Sequence, residues 1–102
     1  MEPNPQADIL QRLRCAEGHL NAVIEMAESG QPCEQVLHQL NAVQSALRAT
    51  GGKIICWQSE SMQDVVLNSD SFAERSIALK QLQSLYAIYV QHFNHTPEVN
   101  YD

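Results

Sequence analysis

The sequence has 102 residues, of which 44% are hydrophobic and 18% charged, with only 4 Gly and 4 Pro. These values exclude collagen, low-complexity linkers and a mostly disordered chain, and the length allows one small domain. The net charge of −6 argues against non-specific binding to nucleic acid or anionic membranes through bulk charge.

The first predicted element is a helix from about Asp8 to Ser29. Its apolar residues alternate between spacings of four and three, which is typical of a helix that packs along one face. They are Ile9, Leu13, Ala16, Leu20, Val23 and Ala27. Asp8 is the predicted N-cap, Gly30 suits the position just after the helix, and Pro32 suits the start of the next one.

The second predicted helix begins near Cys33. Its apolar stripe continues past two adjacent glycines, Gly51 and Gly52, as far as Val65. Each glycine costs about 1 kcal/mol relative to alanine inside a helix, so the pair either ends the helix or marks a close approach of another backbone. Because the stripe keeps its phase across the pair, we predict one helix of up to about 35 residues, about 50 Å long.

The third predicted helix follows a turn at residues 68–71 and runs to about His92. Ser71 is its predicted N-cap, and Glu74 three residues later completes a capping box. Its apolar stripe consists of Ala78, Leu82, Leu85, Ile88 and Tyr89.

Three helices without an alternating strand pattern predict an all-α fold. A single copy buries little core, and a long middle helix would overhang its hairpin partner. Dimerisation into an antiparallel helical bundle would cover the apolar faces, and paired dimers would cover the rest. We therefore predict one helical domain over residues 8–92 with flexible ends at 1–7 and 93–102. No membrane-spanning segment and no secretory signal are visible, so the cytoplasm is the expected location.

The chain has three cysteines, Cys15, Cys33 and Cys56. The odd number and the lack of a CxxC pair fit neither a disulfide framework nor a zinc finger, so reduced thiols are predicted. The default role of any one of them is that of a small buried hydrophobe.

Several short motifs follow one another along the chain. They are Arg12-Leu13-Arg14, Glu17-Gly18-His19-Leu20, Pro32-Cys33-Glu34 and the run QLNAVQSAL at 39–47. In order and spacing they resemble the copper-sensitive operon repressors and their nickel/cobalt-, persulfide- and formaldehyde-sensing relatives, over about residues 8–90. The resemblance implies an all-α dimer, usually assembled as a dimer of dimers. It also implies operator DNA binding that is released when an effector occupies a site between protomers.

The resemblance places the sensory thiol at the start of the second helix, where Cys33 stands. Its partners come from the second helix of the other protomer, at positions that here hold Gln58 and Met62. Gln58 is a poor metal ligand, whereas Met62 is a soft thioether that suits Cu(I). The implied effector is Cu(I) or another thiol-directed ligand, and nickel, cobalt and zinc fit poorly. Cys56, about 200° around the helix from Gln58, is predicted to be packed.

For DNA contact, the resemblance implies basic residues on the first helix and in the middle of the second. Arg12 and Arg14 match the first set. Arg48 and Lys53 are the candidates for the second set, because the position that is usually basic holds Ala49. Solvated surface charge is the alternative interpretation of all four.

Other interpretations stay open. Cys33 would also suit a thiol-reactive sensor of aldehydes or sulfur species that needs no metal. The acidic charge and the altered ligand positions suit a degenerate family member that acts as an interaction module without binding DNA.

His92 and His95, three residues apart, are a weaker metal-binding pair. No enzyme is predicted, because the sequence has no Ser-His-Asp arrangement, phosphate loop or HExxH motif, and six scattered basic residues argue against a dicarboxylate mutase.

Overall fold

The computed structural model describes residues 4–93, and within them the chain is all-α. Helix α1 covers Pro5–Glu28, α2 covers Cys33–Asn68 and α3 covers Phe72–Ile88, followed by a π-helical segment at Tyr89–Phe93. The predicted all-α fold with three helices is confirmed.

The chain divides into two compact units, Met1–Ile54 and Ile55–Asp102, and α2 contributes residues to both. The single domain over 8–92 stays a prediction. Of the predicted flexible ends, residues 1–3 and 94–102 lie outside the described part of the chain. No helix in the described part combines the length and the apolar character that a bilayer span requires.

Helix α1 begins at Pro5, earlier than predicted, because Asn4 caps it. The Asn4 side-chain oxygen accepts hydrogen bonds from the backbone N–H groups of Gln6 at 3.0 Å and Ala7 at 3.4 Å. Pro5 occupies the first helical position, where a missing N–H leaves no bond unmade. The prediction of Asp8 as N-cap is therefore wrong. Asp8 lies in the first turn, where its negative charge complements the helix dipole.

The turn after α1 is closed by backbone hydrogen bonds and a glycine. Gly30 has a φ of 73°, in the left-handed region that favours glycine. The N–H groups of residues 29–31 donate to carbonyls of the last turn of α1 at distances from 2.9 to 3.3 Å. The prediction that Gly30 follows the end of the helix is confirmed.

Helix α2 is continuous over 36 residues, which confirms that the helix passes through Gly51 and Gly52. A Cβ atom placed on Gly52 would meet nothing within 4 Å, so in the described chain this glycine does not serve a close backbone approach. Directly before the glycine pair, the buried Thr50 hydroxyl donates to the Ala46 carbonyl at 2.8 Å, which gives this buried donor a partner.

The unit Met1–Ile54 is a hairpin of α1 and the first part of α2, and its buried residues recur every seven positions. They are Ile9, Ala16 and Val23 on α1, with Val43 and Thr50 on α2. Other residues of the predicted stripes are exposed, including Leu13, Leu20 and Leu47 at 38%, 40% and 43%. One strip of each helix therefore packs in the hairpin, and the neighbouring strip is left uncovered in the single chain.

In the unit Ile55–Asp102, α3 is capped as predicted, because the Ser71 hydroxyl accepts the Glu74 N–H at 3.2 Å. In the other half of the capping box, a second serine, Ser69, bridges the Glu74 carboxylate and the Ser71 N–H. The Ser69 hydroxyl donates to the Glu74 carboxylate at 2.8 Å, and its oxygen accepts the Ser71 N–H at 3.1 Å. Arg75 Nε also donates to the Val66 carbonyl at 3.0 Å, which ties α3 to the end of α2.

The stripe of α3 is only partly covered. Ala78 is buried and Leu82 and Leu85 are half-buried, whereas Ile88 and Tyr89 are exposed. The α-helical hydrogen bonding stops at Ile88, and the chain continues in π-helical form to Phe93. The helical chain thus extends slightly past the predicted end, with a changed hydrogen-bond pattern in its last turn.

Replacing Ser71 with Ala is expected to lower the free energy of unfolding by about 1 kcal/mol, because the Glu74 N–H loses its acceptor. Urea unfolding followed by helical circular dichroism measures the change. Ser84→Ala, at an exposed position inside α3, is the matched control and is expected to leave the midpoint unchanged or slightly raised. Equal midpoints for the two variants would contradict the capping role.

Candidate functional site

The first candidate residue, Cys33, is the first residue of α2, and its thiol is exposed. It directly follows Pro32, whose carbonyl accepts the N–H groups of Gln35 at 3.0 Å and Val36 at 3.2 Å and so starts the helix. The local sequence therefore places a solvent-accessible thiol at the N-terminal end of a long helix.

Gln58 and Met62 lie one turn apart on α2 and are both half-buried. Their spacing puts the two side chains on the same helix face, as predicted. They belong to the unit Ile55–Asp102, whereas Cys33 belongs to Met1–Ile54. The ligand roles of these three residues stay predictions.

The other two thiols are exposed as well. Cys56 Sγ lies 3.9 Å from a Glu60 carboxylate oxygen one turn later. The prediction that Cys56 is packed is therefore wrong for the single chain. The reason is that Cys56 shares a face of α2 with the exposed Lys53 and Glu60, and that face is uncovered.

All four candidate DNA-contact residues are exposed, namely Arg12, Arg14, Arg48 and Lys53. Arg12 Nε donates to Asp8 Oδ2 at 3.0 Å, and the two side chains are 44% and 49% exposed. An ion pair this exposed contributes little to stability. Because it uses only Nε, the terminal amino groups of Arg12 remain available as donors.

The two arginines of α1 lie on different faces of the helix. Arg12 lines a groove between α1 and α2 whose far wall includes Ala49, the position at which the resemblance expects a basic residue. Arg14 lines a shallow depression with Leu10 and Cys15. The structure thus brings Arg12 close to the middle of α2, whereas Arg14 lies in a depression formed by α1 residues alone.

The groove has a volume of about 410 Å³. Its lining residues are Asp8, Gln11, Arg12, Cys15, Ala16, His19, Ala46, Ala49 and Thr50. His19 follows Arg12 by seven residues, so the two share a face of α1, and both line the groove. At its edge, His19 Nε2 and Gln39 Oε1 lie 2.8 Å apart in a hydrogen bond that joins α1 to α2.

Sequence reasoning missed two of these contacts. The pairing of Asp8 with Arg12 carried a signal, since opposite charges four residues apart interact on a helix. The pairing of His19 with Gln39 carried none, because spacing along a helix does not report which residues of another helix lie opposite.

Comparison with known proteins decides the family. The sequence model of the metal-sensitive transcriptional repressors matches residues 5–88. The chain belongs to the metal-sensitive transcriptional repressor family. The matched span begins where α1 begins and ends where α3 ends, and it contains Cys33, Gln58 and Met62.

A curated relative of this repressor-family chain is the copper-sensing transcriptional repressor CsoR of Mycobacterium ulcerans (strain Agy99), which is 53% identical over 38 residues. The match covers 37% of this chain and 32% of the relative, so the chain spans about a third of the length of the curated relative it matches. No solved structure matches the chain significantly. The resemblance to copper-sensitive repressors is confirmed at the level of the family.

The donors of this metal-sensitive repressor-family chain indicate which metals suit the predicted site. The thiol of Cys33 and the thioether of Met62 are soft sulfur donors that suit Cu(I), whereas the amide of Gln58 is a hard, weak donor. Within residues 4–93, no three His, Cys, Asp or Glu side chains cluster in a way that would hold a metal ion.

The weaker metal-binding pair falls at the edge of the described chain. His92 is exposed, and its ring lies edge-on to Phe93 with centroids 6.5 Å apart. His95 lies outside the described residues, so metal binding by His92 and His95 stays a prediction.

Proposed function

We propose that this chain is a repressor that binds operator DNA and releases it when Cu(I), or another thiol-directed ligand, binds at Cys33. The observation that carries the proposal is the exposed thiol at the first residue of α2, inside the span matched by the metal-sensitive repressor family. In this proposal, Cys33 of one copy and Met62 of a second copy hold the effector, with Gln58 beside them. Two sulfur donors suit Cu(I) better than nickel, cobalt or zinc.

Self-association is part of the proposal, and uncovered apolar side chains in both units support it. In the unit Met1–Ile54, these side chains are 36–57% exposed and include Leu10, Leu13, Leu20, Ile24 and Leu47. In the unit Ile55–Asp102, they are 37–82% exposed and include Leu67, Phe72, Ile77 and Tyr86. Burying one such side chain stabilises by about 1.5–3 kcal/mol, and contiguous apolar patches mark interfaces. We propose an antiparallel helical-bundle dimer that pairs into a dimer of dimers.

In the proposed mechanism, DNA phosphates contact Arg12 and Arg14 on α1 and Arg48 and Lys53 on α2. Because the chain has a net charge of −6, the attraction to DNA phosphates depends on these local positive charges. Effector binding shifts the equilibrium between a DNA-binding and a non-binding conformation by binding one of them more tightly. The protein acts in the cytoplasm and performs no catalysis in this proposal.

The test is fluorescence anisotropy with a labelled fragment of the promoter upstream of its own gene, using the full chain in anaerobic buffer at low salt. We expect saturable DNA binding that weakens about 5–150-fold on addition of Cu(I), the range of typical allosteric coupling. Cys33→Ala is expected to bind DNA equally well and to lose the response. Cys56→Ala, which removes another exposed thiol, is the matched control and is expected to keep both properties.

The outcomes separate the alternatives. A Cys33→Ala chain that still responds to Cu(I) would dismiss Cys33 as the sensory residue. Absence of saturable DNA binding would favour the interaction module. The exposure of Cys33 also supports a metal-free thiol sensor as a second candidate. For that sensor, an aldehyde or a sulfane-sulfur donor would release DNA and add mass at Cys33, whereas Cu(I) would have no effect.

A further inference from the structure

The groove between α1 and α2 contains a thiol and an imidazole that the proposed function does not use. Cys15 and His19 are four residues apart on α1, so they share a helix face, and both line the groove. The Cys15 thiol is exposed and the His19 ring is half-buried. Both belong to the unit Met1–Ile54.

The hydrogen bond of His19 favours one ring nitrogen for ligand binding. Gln39 Oε1 faces His19 Nε2 at 2.8 Å, and an amide oxygen accepts, which matches the tautomer that carries its proton on Nε2. In that tautomer Nδ1 carries a free lone pair. Metal-binding histidines commonly donate their other N–H to an oxygen in this way, because the bond holds the tautomer and orients the ring. In this tautomer the pairing with Gln39 leaves Nδ1 as the available ring donor of His19, a residue that lines the groove.

The two other side-chain oxygen groups nearest in kind to metal ligands, a carboxylate and a hydroxyl, each have a partner in the groove. The Asp8 carboxylate pairs with Arg12 at 3.0 Å, and the Thr50 hydroxyl donates to the Ala46 carbonyl at 2.8 Å. The groove has one carboxylate, which pairs with Arg12, whereas hard cations need several oxygen ligands. A thiolate sulfur and an imidazole nitrogen remain as its strongest donors.

We propose that Cys15 Sγ and His19 Nδ1 form a second soft-metal site, in the groove between α1 and α2, that takes a monovalent thiophilic cation, Cu(I) being the physiological one. Binding replaces the S–H bond of Cys15 with a metal–sulfur bond and releases the proton to solvent. Two donors suffice for Cu(I), which accepts linear two-coordinate geometry, whereas structural zinc requires four. The site is built within one unit of a single chain and does not depend on the role proposed for Cys33.

The experiment uses the full chain carrying Cys33→Ser and Cys56→Ser, so that Cys15 is its only cysteine. Anaerobic titration with Cu(I) against a chromophoric chelator is expected to show one high-affinity Cu(I) per chain. X-ray absorption is expected to find one sulfur and one nitrogen ligand. Adding Cys15→Ser is expected to abolish the high-affinity binding, and adding His19→Ala or Gln39→Ala to weaken it about 10–100-fold.

His38→Ala in the same background is the matched control, because His38 is an exposed histidine of α2 that does not line this groove, and it is expected to leave the affinity unchanged. Circular dichroism verifies that each variant remains helical. Binding that survives Cys15→Ser, or an affinity unaffected by His19→Ala, would overturn the second site. Either result leaves the DNA-release test of Cys33 standing, because that test uses the other thiol.

Discussion

Val43→Asp is expected to unfold the hairpin of α1 and α2. Val43 is 2% exposed and is the largest side chain that is fully buried among those described. The other buried residues described in the unit Met1–Ile54 are Ile9, Ala16, Val23 and Thr50, and none of them is a cation that could pair with a carboxylate. An uncompensated buried charge costs about 3–5 kcal/mol. That is a large part of the stability of a small domain, which lies toward the low end of about 5–15 kcal/mol.

The measurement is thermal unfolding followed by circular dichroism at neutral pH. Gln44→Asp is the matched control, because it puts the same charge at the next position of the same helix, where the side chain is exposed. It is expected to shift the melting temperature by only a few degrees, since exposed substitutions change stability by about 0.5 kcal/mol or less. Equal melting temperatures for the Val43→Asp and Gln44→Asp variants would show that Val43 is not the centre of the hairpin core.

The existence and order of the helices followed from the sequence because their signals are local. The turn at Gly30, the cap at Ser71 and the unbroken phase across Gly51 and Gly52 each depend on residues within one or two turns. The N-cap of α1 was misassigned for a related reason. Asn4 and Asp8 are both good capping residues, and Pro5 is compatible with a helix that starts on either side of it.

Which half of each apolar stripe packs within the chain was not predictable. Leu13 and Ala16 belong to the same stripe by spacing, yet Ala16 is buried and Leu13 is 38% exposed. The seven-residue recurrence of Ile9, Ala16 and Val23 selects the strip that faces α2, and the register between the two helices decides this. The larger side chains left outside that strip are what a second copy would cover in the proposed dimer.

In the candidate sites, too, the features set by spacing along one helix were predictable, and those set by packing between two helices were not. Spacing alone put Gln58 and Met62 on one face of α2, and the half-burial of both agrees with that placement. The groove between α1 and α2 arises from two segments distant in sequence, so neither its Cys15 nor the polarity of the His19–Gln39 hydrogen bond was visible in the spacing. Cys56 was misjudged because burial depends on whether another helix covers its face.

Removing both arginines of α1, as Arg12→Gln with Arg14→Gln, is expected to weaken the proposed operator binding at least about 100-fold at low salt. Each guanidinium–phosphate contact contributes about 1.5–3 kcal/mol as a charge-assisted hydrogen bond, and the acidic chain offers little other attraction. The slope of log K against log salt should flatten by at least about two, since each lost phosphate contact removes about 0.9. Anisotropy titrations over a series of salt concentrations measure both quantities.

Lys80→Gln removes one exposed positive charge from α3, outside the proposed contact set, and serves as the control. It should leave the slope unchanged, because long-range attraction from a charge that touches no phosphate is screened within about 10 Å at ordinary salt. Asp8→Asn adds a second discriminating variant, because it removes the partner of Arg12 while keeping that guanidinium. It should strengthen DNA binding, since one negative charge beside the phosphates is lost. Equal slopes for the wild type and the double arginine variant would show that α1 does not contact the DNA backbone.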